Sequence, residues 1–347
     1  MAENKSKKLT ELAIKNIKDI LDLSILHDST KEKALVIYDT QNGLTDILTN
    51  AYRANLPAAK FIDFDKISKE EIIDEFNDMN EKDLVVLIQT SNFRLDDFRI
   101  RLHLFQKKLK VIEHMHLYRN TEAVWDVYVN SLAYDTSWYG HVGPKLKEKL
   151  DSAKNLKIQS LDVELSINGE LESSKLNIGD YTGMENVGGT FPIGEVFTEA
   201  KALESMHGEV YIYAYADKDF NISMHEPFKI KIENGIVVGW AENTPESFVD
   251  IIKVISEYER PLIREIGFGL NRAITKERYL GDITAFERIY GMHFSLGEKH
   301  SVYKKDGIQT NKSKFHVDIF PVVDKVTSLS KNTNIEKIIF ESGKYVV

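Results

Sequence analysis

Two short apolar runs in the first third of the chain restrict its fold more than any other feature. They are ALVIYD at 34–39 and LVVLIQ at 84–89, and each is followed by a stretch with helical spacing. Continuous apolar runs of this length are typical of strands buried on both faces in a parallel sheet. Residues 1–150 are therefore predicted to form an α/β domain with a Rossmann-like parallel sheet. No glycine-rich phosphate loop follows these runs, so a nucleotide site is unsupported.

The sequence pattern changes near residue 150. SLDVELSI, EVYIYAYA and FKIKIENGIVVGWAE alternate or carry many β-branched and aromatic residues, which is typical of antiparallel strands. ENG at 233–235 predicts a tight hairpin turn, and one helix is predicted at 244–259. Residues 151–347 are therefore predicted to form an α+β domain with a mainly antiparallel sheet. A chain of 347 residues is also too long for one ordinary core, which favours two domains.

Composition excludes several classes of site and partner. The chain has no cysteine, which rules out disulfides, thiolate nucleophiles and cysteine-bound zinc or iron–sulfur clusters. Its formal net charge of −9 argues against binding to nucleic acid or to an anionic membrane. No apolar stretch approaches the roughly 20 residues of a membrane span, and the N-terminal segment lacks the apolar block of a signal peptide. A cytoplasmic protein is expected, in which any metal is held by histidine, aspartate and glutamate.

Ligands of that kind occur together in SKFHVDIF, residues 313–320. Its alternation places apolar residues on one face of a strand and His316 with Asp318 on the other, because strand side chains alternate with a period of two. That polar face is either ordinary surface or part of a site that needs imidazole and carboxylate together. The string alone leaves both interpretations open. A second pair, His114 and His116 in VIEHMHL, is better explained by ordinary polar positions.

Further candidates lie in glycine-punctuated strings of the second half: Glu195 in GGTFPIGEVFTEA, Glu265 in LIREIGFGLN, and His293 and His300 in YGMHFSLGEKH. Singly, each has an ordinary explanation, such as a surface carboxylate, a core histidine, or an ion pair of Glu265 with Arg264. Taken with HVD, the residues Glu195, Glu265 and His293 make three carboxylates and two imidazoles, which suits two divalent ions bridged by a carboxylate. Such a centre polarises a carbonyl and activates water, so hydrolysis needs no serine or cysteine nucleophile.

These strings resemble motifs of the metallo-aminopeptidase family of aminopeptidase T and aminopeptidase S. Four strings match the family motifs in order and rough spacing: GEVFT at 194–198, EIGFGLN at 265–271, YGMHFSLG at 290–297 and HVDI at 316–319. The resemblance covers about residues 156–325. It implies two divalent metal ions (Zn, Co, Mn or Mg) and a full set of ligands: Glu195, Glu265, His293, His316 and Asp318.

The same resemblance implies a homodimeric enzyme that removes N-terminal residues from peptides or acts on small amino-acid-derived substrates. One of the two glutamates, Glu195 or Glu265, doubles as general base in this hypothesis. The family usually has a tyrosine seven residues after the ligand histidine, where this chain has His300. His300 is therefore the candidate for the proton-transfer role of that tyrosine.

A second resemblance is to the ring-cleaving dihydroxypyridine dioxygenases, which share this fold and bind one Fe(II). Their I-G-[WF]-G-L and H-[LV]-D-I strings are similar, but they carry histidine in place of Glu265 and no histidine in place of His293. Both positions follow the peptidase pattern here, which favours a dinuclear hydrolase. Two alternatives stay open: an Fe(II) dioxygenase that uses His316, Asp318 and one more ligand, and a non-catalytic descendant that keeps the fold for binding.

Overall fold

The computed structural model describes residues 2–95, 99–297, 303 and 316–347. These residues form eighteen strands, in chain order β1 (Ala34–Tyr38), β2 (Lys60–Asp63), β3 (Leu84–Ile88), β4 (Lys110–His114), β5 (Ala153–Ser160), β6 (Val163–Ile167), β7 (Lys175–Asn177), β8 (Gly188–Thr190), β9 (Glu195–Thr198), β10 (Met206–Ala216), β11 (Ile222–Glu233), β12 (Ile236–Trp240), β13 (Ile263–Gly269), β14 (Gly291–Gly297), β15 (His316–Pro321), β16 (Lys325–Ser330), β17 (Glu336–Glu341) and β18 (Lys344–Tyr345).

The same described residues form eight α-helices, α1 (Ala2–Asp19), α2 (Gly43–Asn55), α3 (Lys69–Asn77), α4 (Ile100–Gln106), α5 (Trp125–Ser131), α6 (Thr136–Asp151), α7 (Glu246–Ser256) and α8 (Ile283–Phe286). Within that part of the chain, no helix combines the length and the apolar character needed to cross a membrane.

Five strands form a parallel sheet with the order β2–β1–β3–β4–β8. Every residue of β3 is buried, as its apolar sequence predicts. Two of the helices between these strands begin at capping residues. The Asn42 side chain accepts a hydrogen bond from the N–H of Leu44 before α2. Ser68 and Glu71 form a capping box before α3. The predicted α/β class of this part is confirmed.

The fifth strand of this sheet, β8, has no apolar run that could reveal it from sequence. Gly189 pairs in parallel with Ile112 of β4. At Gly188 the φ angle is +100°, and a Cβ atom there would lie 1.9 Å from the carbonyl oxygen of Val111. Only glycine fits so close to the neighbouring strand. Periodicity cannot identify a three-residue strand of this composition.

The other thirteen strands of the described chain form one antiparallel sheet. Its path runs β18–β17–β16–β5–β6–β10–β15–β14–β13–β9–β7, and β11 and β12 continue from β10. The predicted hairpin turn is present between β11 and β12, where Asn234 and Gly235 have φ angles of 53° and 73°. Asparagine and glycine tolerate this left-handed backbone best. The predicted α+β class of this part is confirmed, with α7 as the predicted helix.

The chain divides into two compact units, each assembled from three segments. The unit with the parallel sheet comprises Met1–Thr136, Gly179–Ile193 and Arg272–Ala285. The unit with the antiparallel sheet comprises Ser137–Ile178, Gly194–Asn271 and Phe286–Val347. The division into domains at residue 150 stays a prediction.

A fully buried histidine, His114, ends strand β4. Its Nε2 lies 2.9 Å from the Tyr52 hydroxyl and its Nδ1 lies 3.0 Å from the Tyr128 hydroxyl. Tyr128 donates its own proton to the Phe191 carbonyl, so His114 carries a proton on Nδ1 and accepts from Tyr52 at Nε2. His114 is therefore a structural residue of the core with both ring nitrogens satisfied.

We expect His114 to make the protein less stable as the pH falls. Burial lowers its pKa from 6.5 to about 3. The unfolded chain takes up a proton near its ordinary pKa of about 6.5, so the stability due to neutral His114 is complete above that pH and is lost as the pH falls toward 3. The loss amounts to about 1.4 kcal/mol per pH unit at most. Urea unfolding of the wild type and of His114→Gln between about pH 7 and 5 measures this loss. Equal slopes of the free energy of unfolding against pH in the two proteins would contradict this expectation.

Candidate metal centre

Four adjacent strands, β9, β13, β14 and β15, present one common face in the antiparallel-sheet unit. Residues directly opposite each other on paired strands point to the same face, and so do residues two apart on one strand. The register gives three such opposite pairs: Glu195 with Gly269, Gly267 with His293, and Ser295 with Asp318. The predicted ligands that share this face are therefore Glu195, His293, His316 and Asp318.

Glu265 reaches the same cluster from a β-bulge in β13. The register against β14 shifts between Ile263 and Ile266. Three residue steps along β13 therefore correspond to only two steps along β14. The Glu265 N–H donates to the Ser295 hydroxyl at 3.0 Å. Its carboxylate Oε1 lies 3.3 Å from Nε2 of His293. The Glu265 side chain is thus directed toward the imidazole.

Three of the predicted ligands meet in a compact group. Nε2 of His293 lies 3.3 Å from Oε1 of Glu195 and 3.3 Å from Oε1 of Glu265. One ligand atom from each residue lies within 4.8 Å of the other two. None of the three is more than 5% exposed. Two carboxylates and one imidazole at this spacing can bind a single divalent ion.

The other two predicted ligands form a pair beside this group. Nε2 of His316 lies 3.2 Å from Oδ1 of Asp318, which is buried, whereas one third of the His316 side chain is exposed. The pair is outside the group of three whose ligand atoms lie within 4.8 Å of one another. It offers an imidazole and a carboxylate to a second ion on the same face. His300 lies outside the described residues.

The imidazole of His293 lies across the backbone of Gly267 on the neighbouring strand. A Cβ atom at Gly267 would lie 2.0 Å from Cε1 and 2.3 Å from Nε2 of His293. Any side chain at this position would therefore displace the ring. Close approach explains the glycine that follows Ile266 in the EIGFG string.

We expect Gly267→Ala to displace His293 and to weaken metal binding by about 10- to 100-fold, the usual cost of disturbing a group that orients a ligand. Gly239→Ala is the matched control, since a Cβ at Gly239 of β12 would meet nothing closer than 3.8 Å. Calorimetric titration of EDTA-treated protein with Co²⁺ or Mn²⁺ measures both affinities. Equal affinities in the two variants would contradict this placement of His293.

A buried guanidinium lies against the cluster. Arg288 Nη1 donates to Oε2 of Glu195, and its Nη2 lies 2.7 Å from Oε1 of Glu287. Burial raises the pKa of Glu287, and the guanidinium of Arg288 opposes that rise. The one guanidinium of Arg288 thus contacts two carboxyl groups, those of Glu195 and Glu287.

Among the described residues of this cluster, carboxylates outnumber fixed cations. In that part of the chain, the carboxylates of Glu195, Glu265 and Asp318 all interact with the guanidinium of Arg288. Burial alone would lower the pKa of His293, but these three carboxylates outweigh burial and raise it well above its ordinary value of 6.5. A proton on the imidazole thus supplies positive charge that the buried carboxylates require. A divalent cation supplies the same charge, so the charge and the donor atoms both fit a metal ion.

Unsatisfied atoms at the cluster also fit a metal ion. Three buried atoms make no hydrogen bond of good geometry within the described chain: Oε1 of Glu195, Nδ1 of His293 and Oδ1 of Asp318. Buried polar atoms without a partner are rare in native proteins. Two of these three atoms are carboxylate oxygens, which divalent cations bind.

Arg264 does not form the ion pair that would make Glu265 a purely structural residue. Its fully buried guanidinium lies 3.7 Å from a carboxylate oxygen of Glu199, which is also buried. The carboxylate of Glu265 is directed at His293 instead. This geometry removes the simplest structural explanation for Glu265.

Two residues of the cluster, Glu287 and Arg288, were not singled out from the sequence. They stand between Phe286 and Ile289, which are both buried, in the FERIYG string that leads into the strand of His293. Charged residues are rarely buried unless they are paired. A Glu-Arg pair between two apolar residues next to a candidate ligand was the signal that could have identified them.

Comparison with known proteins finds matches among solved structures. No protein-family model matches the chain, and no curated protein matches it. The 2,5-dihydroxypyridine dioxygenase of Pseudomonas putida KT2440 aligns over 98% of this chain and 97% of its own, with a TM-score of 0.62 and 15% identity. AmpT of Thermus thermophilus aligns over 98% of this chain and 99% of its own, with a TM-score of 0.62 and 13% identity. Both families that the motifs resemble are thus structural neighbours, and identities this low show a shared fold.

Proposed function

We propose that this protein is a metal-dependent aminopeptidase that hydrolyses N-terminal residues from peptides. The contact of His293 Nε2 with Glu195 and Glu265, at 3.3 Å each in a buried cluster, carries the proposal. The dioxygenases that the sequence resembles have histidine in place of Glu265 and none in place of His293. These two residues therefore favour the peptidase. We further propose a homodimer that acts on peptide or amino-acid-derived substrates in the cytoplasm.

The residues of the cluster support distinct roles. Divalent ions, when bound, supply Lewis-acid activation of water and of the scissile carbonyl. Arg288 donates a hydrogen bond to the Glu195 carboxylate and holds it in place. Because Arg288 already occupies one oxygen of Glu195, Glu265 is our candidate for general base, and Glu195 for a ligand alone. His300 is proposed to move the proton toward the leaving amine.

A second candidate function is Fe(II)-dependent ring cleavage. His316 and Asp318 form a pair of their own, separate from the group of three. The dioxygenase structure also aligns with the same TM-score as AmpT, 0.62. In this alternative the pair and one further ligand bind a single iron.

Chromogenic amino-acid amides distinguish these functions. EDTA-treated protein is reloaded with Co²⁺, Mn²⁺, Zn²⁺ or Mg²⁺ and tested for release of the chromophore. A parallel sample loaded with Fe²⁺ is tested for oxygen uptake with a dihydroxypyridine. Metal-dependent amide hydrolysis supports the peptidase, whereas oxygen uptake without hydrolysis replaces it with the dioxygenase. If neither activity is found with any of these metals, the remaining candidate is a non-catalytic binding protein.

A further inference from the structure

A cavity of about 320 Å³ lies at the carboxyl ends of β3 and β4 in the parallel-sheet unit. Gln89 and Asn92 line it beyond β3, Arg99 and Arg101 line it at α4, and Glu113 lines it at β4. Ligands of α/β proteins bind beyond the carboxyl ends of the parallel strands. The cavity shares no lining residue with the candidate metal centre.

Gln89 lines this cavity with an unpaired amide group. The residue is 3% exposed, and its Oε1 accepts a hydrogen bond from the Phe93 N–H at 2.9 Å. Its Nε2 is buried and has no hydrogen-bond partner in the part of the chain that the structure describes. A buried donor left unpaired is unfavourable, so an acceptor on a ligand would stabilise it.

Among the described residues that line this cavity, arginines outnumber carboxylates. Arg101 is held by Glu113 at 2.7 Å, which neutralises it. Arg94 and Arg99 also line the cavity and are exposed, and neither forms an ion pair or hydrogen bond with a described residue. Two guanidinium groups without a carboxylate partner among the described residues therefore line the same cavity as the unpaired amide of Gln89. This local charge is opposite in sign to the formal net charge of −9.

The combination matches the chemistry of a phosphate monoester. Its two negative charges balance Arg94 and Arg99, and guanidinium groups bind phosphate oxygens through paired hydrogen bonds. A monocarboxylate would leave one guanidinium uncompensated. The buried Oδ1 of Asn92, which has no partner among the described residues, can accept from a hydroxyl of the organic part. Phe93 and Met115 provide apolar surface for the rest of that part.

We propose that this cavity binds a small phosphate monoester, with Arg94 and Arg99 on the phosphate oxygens and Gln89 Nε2 donating to one of them. The inference stands independently of the proposed peptidase activity, since no residue is common to the two sites.

Calorimetric titration of the full-length protein with phosphoserine tests the proposal, with inorganic phosphate and acetate in parallel runs. The protein is kept in EDTA, so metal-bound phosphate makes no contribution. We expect saturable binding of phosphoserine, with acetate at least about tenfold weaker, because loss of one charged hydrogen-bonding partner costs about a factor of ten or more. Binding of inorganic phosphate as tight as that of phosphoserine would overturn the monoester assignment.

Variants locate the binding. Arg94→Gln and Arg99→Gln are each expected to weaken phosphoserine binding by about tenfold, and Gln89→Leu by a smaller factor. Lys7→Gln, on the exposed surface of α1, removes one positive charge elsewhere and is expected to bind as the wild type does. Circular dichroism checks that every variant is folded. The proposal is overturned if the wild type shows no saturable binding, or if the two arginine variants bind as tightly as Lys7→Gln.

Discussion

Glu265→Gln is expected to weaken metal binding at the buried cluster by more than about 100-fold and to lower kcat/KM for amide hydrolysis by about 10³-fold. The glutamine amide has the shape of the carboxylate but neither its charge nor its basicity. It also removes one of the three carboxylates that crowd His293 and Arg288. The metal-free variant is therefore expected to be at least as stable as the metal-free wild type. Calorimetry, a chromogenic amide assay and urea unfolding measure the three quantities.

The matched control is Glu242→Gln, an exposed residue of the same unit that loses the same charge. It is expected to keep the metal affinity and the activity of the wild type. If the metal affinity and the activity of Glu265→Gln were both within a factor of about three of those of Glu242→Gln, Glu265 would be neither a metal ligand nor the general base.

Arg288→Met is expected to destabilise the metal-free protein by about 3–5 kcal/mol, because it leaves the buried carboxylate of Glu195 without its guanidinium. The side chains of Arg288 and Glu195 are at most 9% exposed, so water cannot replace the lost interaction. A divalent cation can supply the missing charge. We therefore expect added metal to raise the Tm of this variant more than that of the wild type. Urea unfolding in EDTA and thermal unfolding with and without Co²⁺ measure these effects.

Arg272→Met provides the comparison for this change. Arg272 pairs with Asp135 at 2.6 Å, but their side chains are 53% and 44% exposed. Exposed ion pairs contribute about 0–1 kcal/mol, so the control is expected to lose little stability. If Arg288→Met lost no more free energy of unfolding than Arg272→Met, Arg288 would not neutralise a buried charge.

The fold class could be predicted because burial leaves a local pattern in each strand. The apolar run of β3 reflects burial on both faces, and the alternation in the second half of β11 reflects burial on one face. The turn at Asn234 and Gly235 is also local, since it depends on the φ angles of two residues. β8 carries no such pattern, because its glycines fit the backbone of β4 rather than a core.

The candidate site was only partly predictable, because its decisive contacts join residues far apart in sequence. Glycine-flanked motifs identified Glu195, Glu265 and His293 one by one. The guanidinium that neutralises Glu195 is 93 residues away, and no local rule pairs the two. Sequence proximity instead suggested Arg264 as the partner of Glu265, but Arg264 pairs with Glu199. These contacts form only when distant segments of the chain are brought together by long-range strand pairing.

The metal content of the purified full-length protein tests the central claim most directly, namely that Glu195, Glu265 and His293 form a metal centre. The protein is loaded with Zn²⁺, Co²⁺ or Mn²⁺, freed of unbound ions by gel filtration, and analysed by plasma mass spectrometry. We expect about two ions per wild-type chain, as in a two-metal hydrolase. Glu242→Gln is expected to match this value, and Glu265→Gln to lose at least one ion. A wild-type chain that retains no ion would contradict the claim.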